Sequence, residues 1–175
     1  MSGSLKKGII VAGMHSSSGK TAVTSLVLAA TQKRGLSIQP FKIGPDFIDP
    51  GYHLHYSSKN SVNLDPWIMG RDHVVQAAGK FTENSLGVAE GVMGLFDGSD
   101  PETDVGSTME IARWLGWKIL LVVPCQNAGR SITAAIQGFL SEAGGVKHFI
   151  GIVLNRINSE SHAEYLCKAC KSSGI

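Results

Sequence analysis

The chain has 175 residues and a formal net charge of +2; 43% of its residues are apolar and 17% charged. That length suits one domain with a buried core, and so mild a charge argues against nucleic acid or an anionic membrane as partner. The apolar runs, of which Ile119–Val123 is the strongest, fall far below the roughly 18 residues of a membrane-spanning helix. The three cysteines do not suggest a disulfide framework, and the chain reads as cytoplasmic.

The first strand, Gly8–Ala12, runs into Gly13-Met14-His15-Ser16-Ser17-Ser18-Gly19-Lys20-Thr21 and then a helix over Lys20–Arg34. Lys6-Lys7 ahead of it superficially resemble a leader, but the apolar run is too short and the loop follows at once. Strand, Gly/Ser loop and helix make an anion site, because loop N–H groups and the helix N-terminus point at the ligand. Lys20 adds a charge for the β- and γ-phosphates of ATP, and the Thr21 hydroxyl can serve Mg²⁺. Met14, His15, Ser16, Ser17, Ser18 and Gly19 complete the candidate ATP contacts. Five residues separate Gly13 from Gly19, where the common phosphate loop has four.

Further strands are predicted at Ile38–Ile43, Leu86–Glu90, Ile119–Val123 and Phe149–Leu154. Helices are predicted at Arg71–Lys80, Thr108–Leu115, Ser131–Ala143 and Ser159–Ser172. Gly35 can end the first helix; Thr108 and Ser159 are candidate N-caps. The strand runs are continuous, as buried parallel strands tend to be. The alternation predicts an α/β fold of P-loop NTPase type, a parallel sheet with helices on both faces. The stretches from Gly44 to Gly70 and from Gly91 to Ser107 read as long loops, which in a compact domain are usually functional. Both follow a strand, so both should lie at the sheet edge that carries the phosphate loop.

Three segments carry chemistry. In Lys42-Ile43-Gly44-Pro45-Asp46-Phe47-Ile48-Asp49-Pro50-Gly51-Tyr52-His53, Lys42 closes a strand and two carboxylates follow. Mg²⁺ takes one or two carboxylates with phosphate oxygens and water, while Asp, Pro and Gly are also ordinary turn formers; both readings stand. In Glu90-Gly91-Val92-Met93-Gly94-Leu95-Phe96-Asp97-Gly98, Glu90 ends a buried strand, where an uncompensated acid is costly. A strand-end Mg²⁺ ligand is favoured there over a sheet-edge salt bridge. Asn155 ends the last strand and suits either an adenine edge or a helix cap. Arg130-Ser131 is a helix start or an anion contact. Trp67, Trp114 and Trp117 read as packing anchors. Cys167-Lys168-Ala169-Cys170, with no second Cys or His pair, reads as two helix cysteines rather than a metal or redox site.

Together these segments resemble the cobyrinate a,c-diamide synthases of corrinoid biosynthesis, whose ATP-binding domain is similar to dethiobiotin synthetase. The matching pieces are Gly13–Thr21, Lys42–His53, Asn63-Leu64-Asp65-Pro66-Trp67, Glu90–Gly98, Ala128-Gly129-Arg130-Ser131 and Gly151–Asn155. The related loop usually has glycine where Ser17 stands. The resemblance implies that ATP phosphorylates a peripheral carboxylate of a tetrapyrrole and that ammonia then displaces phosphate to leave an amide. Carried over, Lys20 holds phosphates, and Thr21, Asp46 and Glu90 bind Mg²⁺. Lys42 faces the γ-phosphate and acyl phosphate. Asp49, Tyr52, His53 and Asp97 lie toward the substrate carboxylate or intermediate, Asp49 and Asp97 as catalytic residues with Lys42; Gly94 is a further substrate contact, and Asn155 touches adenine.

Members of that family also carry a glutaminase domain with a cysteine nucleophile. Cys125, in Val-Pro-Cys-Gln-Asn, lacks the glycine-flanked turn that exposes one. Residues 1–175 therefore read as an ATP-binding synthetase domain, a fragment whose ammonia comes from elsewhere; a homodimer is compatible with it. Three other readings compete with this one. Dethiobiotin synthetase lacks the Asp49–His53 extension and the Met93–Gly98 run. An amidase of another tetrapyrrole shares most of these features. Partitioning-type switch ATPases carry an early loop lysine where His15 stands here.

Overall fold

The computed structural model describes residues 8–175; Lys6 and Lys7 lie outside them. Six strands form one parallel sheet: β1 (Gly8–Gly13), β2 (Ile38–Ile43), β3 (Val62–Leu64), β4 (Leu86–Glu90), β5 (Lys118–Pro124) and β6 (Phe149–Asn155). Their order is β3-β2-β4-β1-β5-β6, and every pairing is parallel. The helices are α1 (Lys20–Lys33), α2 (Asp49–Ser57), α3 (Pro66–Phe81), α4 (Thr108–Leu115), α5 (Ile132–Glu142) and α6 (Glu160–Ser172). The α/β architecture with helices on both faces is thus as the sequence predicts, but the faces are unequal.

Alternation along β1 divides the core. Ile10 and Ala12 face the larger cluster, which takes Val74 and Ala78 of α3, Met109 and Ile111 of α4, Ile136 of α5 and Leu166 of α6. Val11 faces the other side and meets Val23 of α1 and Val122. Leu28 of α1 meets Ile38 and Val88. A parallel sheet needs such cover on both faces, because neither side of its strands is polar enough to face water.

The predicted loop from Gly44 to Gly70 contains α2, β3 and the start of α3. The reason α2 escapes the pattern is its composition, Asp-Pro-Gly-Tyr-His-Leu-His-Tyr-Ser, in which only His53 and Ser57 are buried. β3 is a three-residue edge strand, too short for periodicity to register. Within α3, Gly70 at φ 67° breaks the helix, which explains why helical pattern begins only at Arg71. The Gly91–Ser107 stretch is irregular throughout.

Local signals otherwise set the ends. Gly35 N donates to Gln32 O and Leu36 N to Thr31 O, the paired bonds of a glycine-terminated helix. Ser159 caps α6 through His162 N. For α4 the cap is Ser107, one residue before the predicted Thr108: its side chain accepts from Glu110 N.

Trp117 locks the sheet centre. It is buried and packs edge-on to Phe41. A Cβ at Gly8 of β1 would lie 2.3 Å from its ring, and one at Gly87 of β4 2.2 Å. Trp114 is half-buried, whereas Trp67 is 79% exposed and so not a packing anchor. Gly87→Ala should lower stability by roughly 1–3 kcal/mol, the usual cost of overpacking. Chemical denaturation measures this; an unchanged midpoint would mean that the indole moves aside freely.

Candidate nucleotide and carboxylate site

The chain after β1 turns at the middle of the sheet, so the phosphate loop lies between the loops that follow β4 and β5. Residue Gly19 takes φ 94°, and a Cβ there would meet the Asn155 amide nitrogen at 2.1 Å, so any side chain would be strained and would displace that amide. Within the loop, Ser18 Oγ donates to His15 O (2.7 Å) and accepts from His15 N (3.2 Å). Met14 packs against the core, while His15, Ser16 and Ser17 are exposed.

Lys20 is nearly buried. Its Nζ donates to Met93 O at 2.5 Å and to His15 O at 3.5 Å, which sets the ammonium between the phosphate loop and the Glu90–Gly98 loop. Burial, then the neighbouring Lys42 charge, lowers its pKa. The second loop is fastened below by Leu95 N to Gly13 O (2.9 Å). Asp97 Oδ2 accepts from Gly94 N (2.7 Å), and a Cβ on Gly94 would strike Met14 O at 2.8 Å.

Strand register builds the acidic part. Lys42 of β2 pairs with Glu90 of β4, so both side chains leave the same face at the same edge. Lys42 Nζ donates to Asp49 Oδ2 (2.5 Å), Gly91 O (3.2 Å) and Glu90 Oε1 (3.3 Å), with Asp46 Oδ2 at 3.6 Å. The Thr21 hydroxyl donates to Glu90 Oε1 at 2.7 Å and lies 3.3 Å from Asp49 Oδ1. His53, fully buried on α2, meets the other Glu90 oxygen at 2.8 Å through Nε2 and Ser61 Oγ at 3.1 Å through Nδ1.

Glu90 is thereby kept ionised although it is buried. Burial pushes its pKa up, but the His53 hydrogen bond, the Lys42 charge and the Thr21 hydroxyl together outweigh this and lower it. For Lys42, burial lowers the pKa, and Glu90, Asp49 and Asp46 more than offset it, raising the value. Such a pair holds only if each partner stays, because a lone buried charge is costly.

The residues predicted from sequence do not all meet at one point. Lys20, Thr21, Lys42, Asp46, Asp49 and Glu90 converge. Asp46 is also a turn former: its Oδ1 accepts from Ile48 N (2.8 Å) and Asp49 N (3.3 Å). Asp49, expected on the substrate side, lies on Thr21 and Lys42. His53, also expected there, is buried behind Glu90. Tyr52 is exposed on α2, and Asn155 donates from Nδ2 to Ser18 O (2.9 Å). Ser61, Gln126 and Arg156 join the site without any motif to announce them; Gln126 and Arg156 have as their one signal a position just after a strand, and Ser61, just before β3, has none. Arg130 is exposed at the same edge. Cys125 and Cys170 are buried, Cys167 exposed, and all three are free. Burial raises the Cys125 and Cys170 thiols, the setting of inert core cysteines.

A family model for the CobQ/CobB/MinD/ParA nucleotide binding domain matches residues 9–174. The chain belongs to that family. It is 40% identical over 168 residues to a cobyrinate a,c-diamide synthase of Syntrophotalea carbinolica, covering 95% of this chain and 36% of that one. A hydrogenobyrinate a,c-diamide synthase of Rhodobacter capsulatus is 40% identical over 158 residues, covering 89% and 36%. The chain therefore spans about a third of the length of these relatives. A crystal structure of a DUF1611 family protein from Anabaena variabilis has the same fold, with TM-score 0.58 at 16% identity over 98% of this chain and 52% of that one. No helix among the described residues is long and apolar enough to cross a membrane.

Because Glu90 has a lowered folded pKa, its contribution to stability is present above the ordinary carboxylate value of 4.5 and is lost as pH falls through the folded value. Glu90→Gln should therefore be less stable than the parent at neutral pH, with the two melting curves converging in acid. Thermal midpoints measured across pH 2 to 7 check this; a constant gap between the two proteins would assign the loss to packing instead.

Proposed function

We propose that this nucleotide-binding domain activates carboxylates: it phosphorylates the a and c side-chain carboxylates of cobyrinic or hydrogenobyrinic acid with ATP, and ammonia then converts each acyl phosphate to an amide, in cobalamin biosynthesis. The observation that carries the reading is the meeting of Lys42, Asp49, Glu90 and Thr21 at the phosphate-loop mouth, in a chain about 40% identical to synthases of that name.

In the first step a substrate carboxylate oxygen attacks the γ-phosphorus; a new P–O bond forms and the β–γ bridge bond breaks, releasing ADP. In the second, the ammonia lone pair attacks the acyl carbon, the C–O bond to phosphate breaks, and the nitrogen sheds a proton. The step needs phosphorylation because a free carboxylate is a poor acyl donor. Loop N–H groups and Lys20 hold the transferring phosphate. Lys42 faces charge that grows on it, and fixed charges of this kind act without reorganisation at the moment of reaction. Asp49 holds Lys42 in place, and His53 turns Glu90 so that Oε1 meets Thr21. Asp97 shapes the Gly94 turn beside Lys20, and Asn155 and Tyr52 border the site.

Thr21, Glu90, Asp46 and Asp49 are a hard-oxygen set that fits Mg²⁺, which keeps waters and phosphate oxygens rather than an all-protein cage. Among the described residues no group of three or more His, Cys, Asp or Glu side chains is arranged to hold a metal ion by itself. When bound, Mg²⁺ would neutralise charge on the β- and γ-phosphates. Ammonia is supplied by a separate glutaminase domain, and the setting is the cytoplasm.

With ammonium as nitrogen source, ATP and Mg²⁺, the protein should convert cobyrinic or hydrogenobyrinic acid to products with the mass change of acid to amide. Inactivity on both, with dethiobiotin formed from diaminopelargonic acid, would overturn the reading. Asp46→Asn, Asp49→Asn and Glu90→Gln should each lower turnover by about 10²-fold or more while circular dichroism stays unchanged. Full activity in any one would remove that residue from the site.

A further inference from the structure

We propose that Asn155 and Arg156 are positioning residues that aim the phosphate-loop N–H groups, and that Arg156 thereby sets affinity for polyphosphate. The inference rests on the reading of Gly13–Thr21 as a phosphate loop. Arg156 follows the last residue of β6 with φ 57°, in a turn closed by its own N–H donating to Asn155 Oδ1 at 2.9 Å. The turn brings the guanidinium back over the loop. Nη2 donates to Ser17 O at 2.5 Å and Nη1 to Gln126 Oε1 at 3.0 Å. Asn155 Nδ2 donates to the next carbonyl, Ser18 O, at 2.9 Å. Two successive loop carbonyls are therefore held by one pair of residues that lies 137 and 139 positions away in sequence.

The consequence follows from peptide geometry. In a trans peptide the C=O and N–H point to opposite sides, and no described peptide is cis. Holding the Ser17 and Ser18 carbonyls toward β6 turns the N–H groups of Ser18 and Gly19 the other way. Backbone N–H groups of such a loop are the anion ligands. Ser17 itself takes φ 61°, which a serine adopts only when its surroundings impose it; the guanidinium bond is one such constraint. Arginine suits the task because its planar fork serves two acceptors on separate loops from two nitrogens at a fixed angle, whereas an ammonium offers rotatable donors on a single nitrogen. The Asn155 amide makes one bond at each end within the chain, which leaves its second N–H and second carbonyl lone pair for a ligand.

The test measures binding of ADP, tripolyphosphate and adenosine to the whole chain by calorimetry, with nitrogen-15 shifts of the Ser18 and Gly19 amides alongside. Arg156→Ala should weaken ADP and tripolyphosphate by the same factor, about tenfold, leave adenosine unchanged, and move both amide signals. Arg156→Lys should fall between the two and serves in place of the alanine variant if that does not fold. Unchanged tripolyphosphate affinity, or a loss confined to adenosine, would overturn the proposal. A parent protein that binds neither ADP nor tripolyphosphate would overturn the phosphate-loop reading itself.

Discussion

A carboxylate buried at the end of a central strand constrains everything around it. Glu90 cannot reach water, and ionising it there without partners would be prohibitive. Lys42, His53 and Thr21 come from β2, α2 and α1 to meet it. Each of those elements is thus held at the site by the need to satisfy one acid. This explains why α2, poor in apolar residues, is nonetheless a helix in a fixed place: its buried His53 links Glu90 to Ser61.

The same network sets the site's electrostatics. Three carboxylates, Asp46, Asp49 and Glu90, surround the single ammonium of Lys42, with Lys20 across the cleft. The excess of acid on one side suits a divalent cation, and the N–H groups with Lys20 on the other suit phosphate. The site is therefore divided in charge along its length, with the three carboxylates at one end and Lys20 with the loop N–H groups at the other.

Backbone strain collects at this edge. Of the five non-glycine residues with positive φ among the described residues, Ser17, Met93, Asn127 and Arg156 lie in loops after β1, β4, β5 and β6. Such conformations cost of order 1–3 kcal/mol each and persist only where surroundings impose them. Here the surroundings are visible for three of them: Met93 offers its carbonyl to Lys20, Ser17 to Arg156, and Arg156 is turned by Asn155. The rigid sheet, locked by Trp117 between Gly8 and Gly87, is what can sustain that strain.

The local features were legible before any folding was known. Continuous apolar runs marked five of the six strands, and Gly19-Lys20-Thr21 between strand and helix marked the phosphate loop, because both signals are carried by neighbours in sequence. Glu90, Asp46, Asp49 and Lys42 stood out for the same reason, as charged groups at the ends of such runs. α2 and β3 did not, since one is held by a buried histidine and the other is three residues long. What only the tertiary structure decided is which group meets which. Parallel strands are joined by long crossovers, so partners such as Lys42 and Glu90, or Ser17 and Arg156, are far apart in sequence and are brought together by register and strand order. The sequence determined which chemistry the chain carries at its strand ends; the packing of the sheet decided that His53 faces Glu90 from behind, that Asp49 reaches Thr21, and that Arg156 spans the phosphate loop.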